Sequence, residues 1–193
     1  MTRSLIVMLV TLIVIAGLVA CSPAPRLSGT ELPAKDAPDF TLADGLSGQT
    51  VTLASLRGNV VVLAFLYTRC PDVCPITAAL FRSAQKTIGL DAPVWYVAVS
   101  VDPEGDTPAQ VRAFSDAHDL GAGWHYLIGP RGQLQAVWAS YGVGSFPDPS
   151  GLGVAHNDAI FVIDRKGRER ELIHSDVRLG DLVADVRALA NEK

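Results

Sequence analysis

The sequence predicts an α/β domain in which a central mixed sheet is flanked by helices. Two apolar runs rich in β-branched residues, 59–67 and 94–101, predict strands that are buried on both faces of a sheet. Helical periodicity follows each run, and this alternation of strand and helix is typical of a sheet covered by helices on both faces. Binding sites in such sheets form beyond the carboxyl ends of the strands.

The individual elements follow from local patterns. An N-terminal β-hairpin is predicted from the alternating segments 40–42 and 51–53, which flank a polar, glycine-containing turn. The first buried strand leads to a helix over 75–88. Thr107 is a predicted N-cap, with Pro108 at the first helical position and Gln110 completing a capping box. The remaining predicted elements are a helix over 108–118, a strand over 124–128, a helix over 131–141, a loop over 141–155, paired strands over 159–163 and 171–173, and a helix over 177–191.

The N-terminus has the layout of a secretory signal over residues 1–20, with a basic head, an apolar run and small residues at its end. The residues that end at Cys21 resemble the lipobox of bacterial lipoproteins, which predicts a lipid on Cys21; an uncleaved signal anchor is the alternative. A tether is predicted over 21–37 and a single domain over 38–193. The domain is therefore expected at the extracytoplasmic face of a bacterial membrane.

Composition limits the partners and the kinds of site. The formal net charge is −4 and no basic run is present, so nucleic acid is not an expected partner. Both methionines, Met1 and Met8, lie in the signal, which excludes a methionine-rich copper site from the domain. The domain keeps two cysteines, Cys70 and Cys74, which is too few for a disulfide framework.

These two cysteines stand in the stretch YTRCPDVCPIT, directly after the first buried strand. If Pro75 is the first helical residue, Cys74 is the N-cap, and thiolates at that position are stabilised by the positive end of the helix dipole. A redox pair, a metal site that suits Cu(I), and a structural disulfide all remain compatible with the pair. The two prolines that follow the cysteines stiffen the turn.

A third candidate ligand is His156, which ends the glycine- and proline-rich loop just before a buried strand. Such loops often carry ligands. Two thiolates and one imidazole accommodate copper in either common oxidation state, and zinc could also use this set. The spacing alone supports His156 only weakly, because most single histidines have structural roles.

Three motifs together closely resemble the Sco/SenC family: YTRCPDVCP, VSVDPEGDTP and HNDAIFVIDRKG. The resemblance covers the chain from about Pro38 onward and implies a thioredoxin-like fold. It implies copper ligands at Cys70, Cys74 and His156. It also implies a copper chaperone that delivers copper to the CuA site of cytochrome c oxidase subunit II.

The resemblance leaves alternative activities open. The cysteines could instead act as a thiol-disulfide reductase on the acceptor's cysteines, or the domain could be a redox or copper sensor. Thioredoxin-like oxidoreductases resemble one another in a two-residue cysteine spacing and a cis-proline that faces the pair. This chain has three intervening residues and no proline among the residues 156–159, which favours metal coordination.

Three aspartates are further candidates. Asp102 and Asp106 lie in a turn before a helix, where local backbone hydrogen bonds are the simplest role and docking of a partner is the alternative. Asp158 is predicted to orient the imidazole of His156. The chain departs from the family at Gly105, where a basic residue is common, and any interaction that relies on that charge is in doubt.

Overall fold

In a computed structural model, which describes residues 26–147 and 154–192, the chain folds around a mixed sheet of eight strands. The sheet has the order β1-β10-β9-β4-β5-β6-β2-β3, and β7 and β8 form a separate two-stranded sheet. The strands are β1 Thr30–Glu31, β2 Thr41–Asp44, β3 Thr50–Thr52, β4 Val60–Leu66, β5 Val94–Ser100, β6 Trp124–Ile128, β7 Ser145–Pro147, β8 Val154–His156, β9 Ile160–Ile163 and β10 Glu169–Ile173. The helices are α1 Val73–Ile88, α2 Pro108–Ala117, α3 Arg131–Ser140 and α4 Leu179–Ala190.

The centre of the sheet is β4, in which all seven residues are buried. It pairs in parallel with β5 and antiparallel with β9, so neither of its edges meets solvent. A strand with neighbours on both edges and helices on both faces can carry apolar side chains in both directions, which explains the continuous run VVVLAFL. The predicted buried strands are confirmed.

Helices cover both faces of this sheet. On one face, Phe81 of α1 packs against Tyr96 and Trp124, with ring centroids 5.2 and 6.2 Å apart. On the other face, Tyr141 after α3 packs against Phe65, 5.6 Å between ring centroids. Tyr96 pairs with Val62, and because side chains alternate along a strand, Phe65 points to the opposite face from Val62. The predicted α/β architecture is confirmed.

Three boundaries differ from the sequence predictions. Helix α1 begins at Val73 with Asp72 as its N-cap, so Cys74 is a residue of the first turn and not the N-cap. The predicted loop over 141–155 contains β7 and β8. The predicted tether over 21–37 contains β1, which pairs antiparallel with β10 and therefore belongs to the sheet. The N-cap prediction for Thr107 is confirmed, since its hydroxyl accepts a hydrogen bond from the Gln110 amide.

The predicted signal over 1–20 and Cys21 lie outside the described residues. Within 26–147 and 154–192, none of the helices has the length and apolar character to cross a bilayer.

Two buried carboxyl groups, on β10 and α4, accept hydrogen bonds from the segment that precedes β1. Glu171 of β10 is fully buried beside Asp185 of α4. The amide of Gly29 donates to Glu171 Oε1, and the Ser28 hydroxyl donates to Asp185 Oδ2 at 2.5 Å. Burial, together with the nearby carboxylates of Asp185 and Glu31, raises the pKa of Glu171 to about 7.

This raised pKa predicts a specific pH dependence of stability. Folded Glu171 holds a proton between its ordinary pKa of 4.5 and about 7, whereas unfolded Glu171 does not. The stabilisation is therefore complete below about pH 4.5 and is lost as pH rises through 7, by roughly 2–3 kcal/mol. We expect the free energy of unfolding in urea to fall between pH 5 and pH 8.

The Glu171→Gln variant should flatten that pH profile, because an uncharged amide replaces the titrating group. Glu104→Gln, on the surface, is the matched control and should keep the slope. A parent protein whose free energy of unfolding rises from pH 5 to pH 8 would contradict the assignment.

Candidate metal centre

Cys70 lies in the loop that joins β4 to α1, which we call the cysteine loop (residues 67–72), and Cys74 lies in the first turn of α1. The loop follows the carboxyl end of β4, next to the carboxyl end of the parallel strand β5. In a sheet of this kind, the loops at this edge are where sites form. The loop turns tightly at its start, since the Cys70 amide donates to the Tyr67 carbonyl at 3.2 Å.

Cys70 and Cys74 are adjacent, and both are free thiols. The Cys74 amide points at Cys70 Sγ, 3.5 Å away, as expected where the first turn of a helix offers unsatisfied N–H groups. Exposure differs between the two, because Cys70 is 9% exposed and Cys74 is fully buried. One sulfur therefore lies at the rim of the site and the other lies inside it.

The two thiols have opposite pKa shifts. The Cys74 S–H donates to Cys70, and this hydrogen bond lowers the pKa of Cys70 to about 5 from an ordinary value of 9.0. The amides of Asp72 and Cys74 and the Tyr67 hydroxyl also stabilise the Cys70 thiolate. The same S–H bond, together with burial, raises the pKa of Cys74. At neutral pH the pair is one thiolate and one thiol.

His156 ends β8, and the β7–β8 hairpin brings it to the cysteine loop. Its ring meets the edge of the Tyr67 ring, with 5.9 Å between the centroids. His156 Nδ1 lies 3.0 Å from the carbonyl oxygen of Asn157. A proton on Nδ1 satisfies this contact and leaves Nε2 as the nitrogen that can bind a metal.

Tyr67 therefore contacts both predicted ligand groups, since its hydroxyl bonds to Cys70 and its ring packs on His156. Within the described residues, however, no three Cys, His, Asp or Glu side chains are close enough to hold one metal ion together. The structure brings the two cysteines into contact and places His156 against their common neighbour. The donors suit a soft metal, and one further approach of the imidazole would complete a set of three.

The prediction that Asp158 orients His156 is not what the structure shows. The Asp158 carboxylate accepts hydrogen bonds from the amide and the hydroxyl of Ser175, at 2.9 and 2.7 Å. It closes the turn after β10 instead. The residue beside His156 that orders the hairpin is Asn157, whose side-chain oxygen accepts from the Gly144 amide at 3.0 Å and whose carbonyl faces the imidazole.

Asp106 is buried, 3% exposed, and its carboxylate accepts hydrogen bonds from the cysteine loop. Its Oδ1 accepts from the amide and the hydroxyl of Thr68, at 2.8 and 2.7 Å. Its Oδ2 accepts from the hydroxyls of Ser100 and Tyr126, at 2.6 and 3.1 Å. These partners lie in other segments of the chain, so Asp106 does not make the local backbone hydrogen bonds that the sequence predicts. A partner could not reach this carboxylate without moving the loop.

Asp102 is also buried, 6% exposed, and its carboxylate bonds to the Gly105 amide and to the guanidinium of Arg69. Asp102 and Asp106 thus both hold the cysteine loop. Tyr67 and Asn157 are parts of the site that the sequence does not predict. Only their positions in the sequence could have indicated this role, because Tyr67 lies three residues before Cys70 and Asn157 directly follows His156.

Comparisons with known proteins give a consistent result. A model of the SCO1/SenC family matches residues 29–191. The SCO1 protein homolog of Bacillus subtilis (strain 168) is 26% identical over 155 residues, which cover 76% of this chain and 79% of that protein.

Two solved structures share the fold. Bradyrhizobium japonicum ScoI with copper bound is 29% identical, with a TM-score of 0.70 over 80% of this chain and 99% of that chain. A SCO1/SenC family lipoprotein from Bacillus anthracis str. Ames is 25% identical, with a TM-score of 0.75 over 86% of this chain and all of that chain. The predicted thioredoxin-like fold is confirmed.

The asymmetry of the cysteine pair predicts selective alkylation in the metal-free, reduced protein. Iodoacetamide reacts with thiolates, so Cys70 should be modified with a rate that follows a midpoint near pH 5, while buried Cys74 resists. Peptide mapping by mass spectrometry across pH 4–9 measures both rates.

The Cys74→Ala variant should raise the Cys70 midpoint, because it removes the main hydrogen-bond donor to the thiolate. Cys70→Ser is the control and should abolish the fast modification. Modification of Cys74 before Cys70, or a Cys70 midpoint near 9, would refute this asymmetry.

Proposed function

Because the chain belongs to the SCO1/SenC family, which includes cytochrome c oxidase assembly proteins, we propose that it is a copper chaperone that binds one copper ion through Cys70, Cys74 and His156. The single observation that carries this proposal is the pair of contacting thiols at the start of α1, with the His156 imidazole one aromatic ring away. Relatives with copper bound support the choice of metal.

The chemistry of the donors fits copper. Two sulfurs suit Cu(I), and the added imidazole nitrogen also suits Cu(II). Cys70 is already a thiolate at neutral pH, so it is the first ligand that the ion meets at the rim of the site. Cys74 must lose its proton as it becomes a ligand, and burial of that sulfur protects the bound ion from water.

The proposed acceptor is the CuA site of cytochrome c oxidase subunit II, as the family resemblance implies. Release then begins at the same rim of the site as capture. The acceptor's thiolate can replace the more exposed ligands, Cys70 or His156, before it reaches fully buried Cys74. The β7–β8 hairpin that carries His156 can withdraw with its ligand without disturbing the central sheet, because its two strands pair only with each other.

A thiol-disulfide reductase remains the second candidate, and one observation favours it. A rim thiolate with a low pKa beside a buried thiol is the arrangement in which the first attacks a disulfide and the second resolves the mixed disulfide. In that reaction Cys70 attacks, Cys74 displaces the acceptor's sulfur, and the acceptor leaves as a dithiol while Cys70 and Cys74 become a disulfide. His156 has no part in this step.

The His156→Ala variant separates the two functions. We expect it to weaken Cu(I) binding by at least about tenfold, because one of three ligands is lost. Competition with a chromophoric Cu(I) chelator measures the affinity. Cu(I) binding to the parent at pH 7 should also release about one proton, from Cys74, which a weakly buffered titration detects.

His118→Ala is the matched control, because His118 bonds to the Phe114 carbonyl at the end of α2, away from the cysteine loop. A parent that does not bind copper, or a His156→Ala variant with parental affinity, would reject the chaperone. Reduction of an acceptor peptide's disulfide that survives His156→Ala but not Cys74→Ala would establish the reductase.

The site would act at a membrane surface. We propose that Cys21 is lipidated and holds the domain at the extracytoplasmic face of a bacterial membrane. The support is the lipobox-like sequence before Cys21 and the lipoprotein character of a relative with the same fold. The Cys21→Ser variant should move from the membrane fraction to the soluble periplasmic or secreted fraction, and retention of that variant in the membrane would contradict lipidation.

A further inference from the structure

An ion pair between Arg69 and Asp102 lies at the outer side of the cysteine loop and packs directly against Gly105. Arg69, the residue before Cys70, places its Nη2 2.6 Å from Asp102 Oδ2. The side chain of Arg69 is 60% exposed and that of Asp102 is 8% exposed, so the arginine reaches inward from the surface. The Gly105 amide donates to the other carboxylate oxygen of Asp102 at 3.1 Å and fixes its orientation.

Gly105 has no room for a side chain while this pair is formed. A Cβ at that position would lie 2.1 Å from Asp102 Oδ2 and 2.5 Å from Arg69 Nη2. These distances are far shorter than any van der Waals contact, so even a methyl group would displace the guanidinium or the carboxylate. Gly105 is not among the glycines with positive φ, so its backbone accepts alanine and the clash is the only obstacle.

The ion pair is part of a closed ring of contacts. Arg69 bonds to Asp102, and the Asp102 amide donates to the Ser100 hydroxyl at 3.2 Å. The Ser100 hydroxyl donates to Asp106, which in turn holds Thr68. Because Thr68 and Arg69 are consecutive, the ring restrains the two residues before Cys70, Thr68 through Asp106 and Arg69 through Asp102.

We propose that Arg69 is a positioning residue for copper binding, which holds the outer side of the cysteine loop through Asp102 while Asp106 holds the inner side through Thr68, and that Gly105 is required to leave the path of Arg69 open. This inference rests on the proposed copper site. The ion pair also explains why position 105 has no basic side chain, because the Arg69 guanidinium occupies the space that such a side chain would enter.

The effect of the ion pair falls on the loop and not on the whole fold. An ion pair with one exposed partner contributes about 0–1 kcal/mol to global stability. Restraint of the peptide next to a metal ligand has larger consequences for the metal, because groups that orient ligands typically change metal affinity by about 10–100-fold. Arg69 acts through the backbone of its neighbour, so we expect the lower end of that scale.

A double-mutant cycle tests the proposal with Arg69→Ala, Gly105→Ala and the combined variant. The first readout is hydrogen exchange of the Thr68 and Cys70 amides in the metal-free protein, measured by NMR. The second is Cu(I) affinity by chelator competition. Arg131→Ala is the matched control, since it removes an arginine that pairs with Glu104 of the same turn without contact to the cysteine loop.

Each single variant should speed exchange of the two loop amides and weaken copper binding by about tenfold, with the melting temperature nearly unchanged. The combined variant should be no weaker than either single variant, because both remove the same contact. Arg69→Lys should restore part of the affinity, since a lysine keeps the charge but loses the planar guanidinium.

Parental exchange and affinity in Arg69→Ala would overturn the proposal, and so would losses that multiply in the combined variant. An equal loss in Arg131→Ala would overturn it as well, because the effect would then be general charge removal. Absence of copper binding by the parent would reject the proposed function, whereas the amide exchange would still decide whether Arg69 holds the loop.

Discussion

The buried carboxylate of Asp106 is the contact on which the candidate site depends. It accepts four hydrogen bonds, from the cysteine loop, the end of β5 and β6, and so joins three neighbouring segments at one edge of the sheet. A buried carboxylate is costly unless its oxygens are satisfied, and here every donor comes from an element that must be in its folded position. The position of the cysteine loop therefore depends on the folded sheet beneath it.

The two cysteines owe their difference to the same architecture. Cys74 is covered because it lies in the first turn of α1, beneath the loop, whereas Cys70 lies on the loop itself. The proton that the two thiols share then stays on Cys74, because more donors stabilise the charge on the Cys70 sulfur. In the proposed chaperone, Cys70 would be the outer ligand that exchanges and Cys74 the inner ligand that retains the ion.

Local signals predicted most of this structure. The buried strands β4 and β5 and the cap at Thr107 depend on short windows of sequence, and so does the place of the cysteines after β4. The sequence predicts Pro75 as the first residue of α1, two residues later than the structure shows. A proline is tolerated anywhere in a first turn, whose N–H groups have no partner within the helix, so Val73 can begin it.

What could not be predicted depends on contacts between distant segments. Two-residue β1 forms only because β10 offers an edge, and the β7–β8 hairpin pairs residues within a segment whose glycines and prolines predict a loop. The choice of Asn157 over Asp158 beside His156 depends on Ser175, which no local pattern connects to it. The Arg69 pair was invisible for the same reason, because Gly105 indicated only that a charge was missing.

The direction of β1 determines which side of the domain would face a membrane under the proposed lipidation of Cys21. β1 runs antiparallel to β10, which runs antiparallel to β9, which runs antiparallel to β4, so β1 starts at the end of the sheet where β4 finishes. The chain thus enters the fold on the side that carries the cysteine loop. Nine residue steps separate Cys21 from Thr30, a leash of at most about 30 Å. A lipid at Cys21 would hold the copper site on a short radius and turned toward the bilayer, within reach of acceptors embedded there and sheltered from those in open solution.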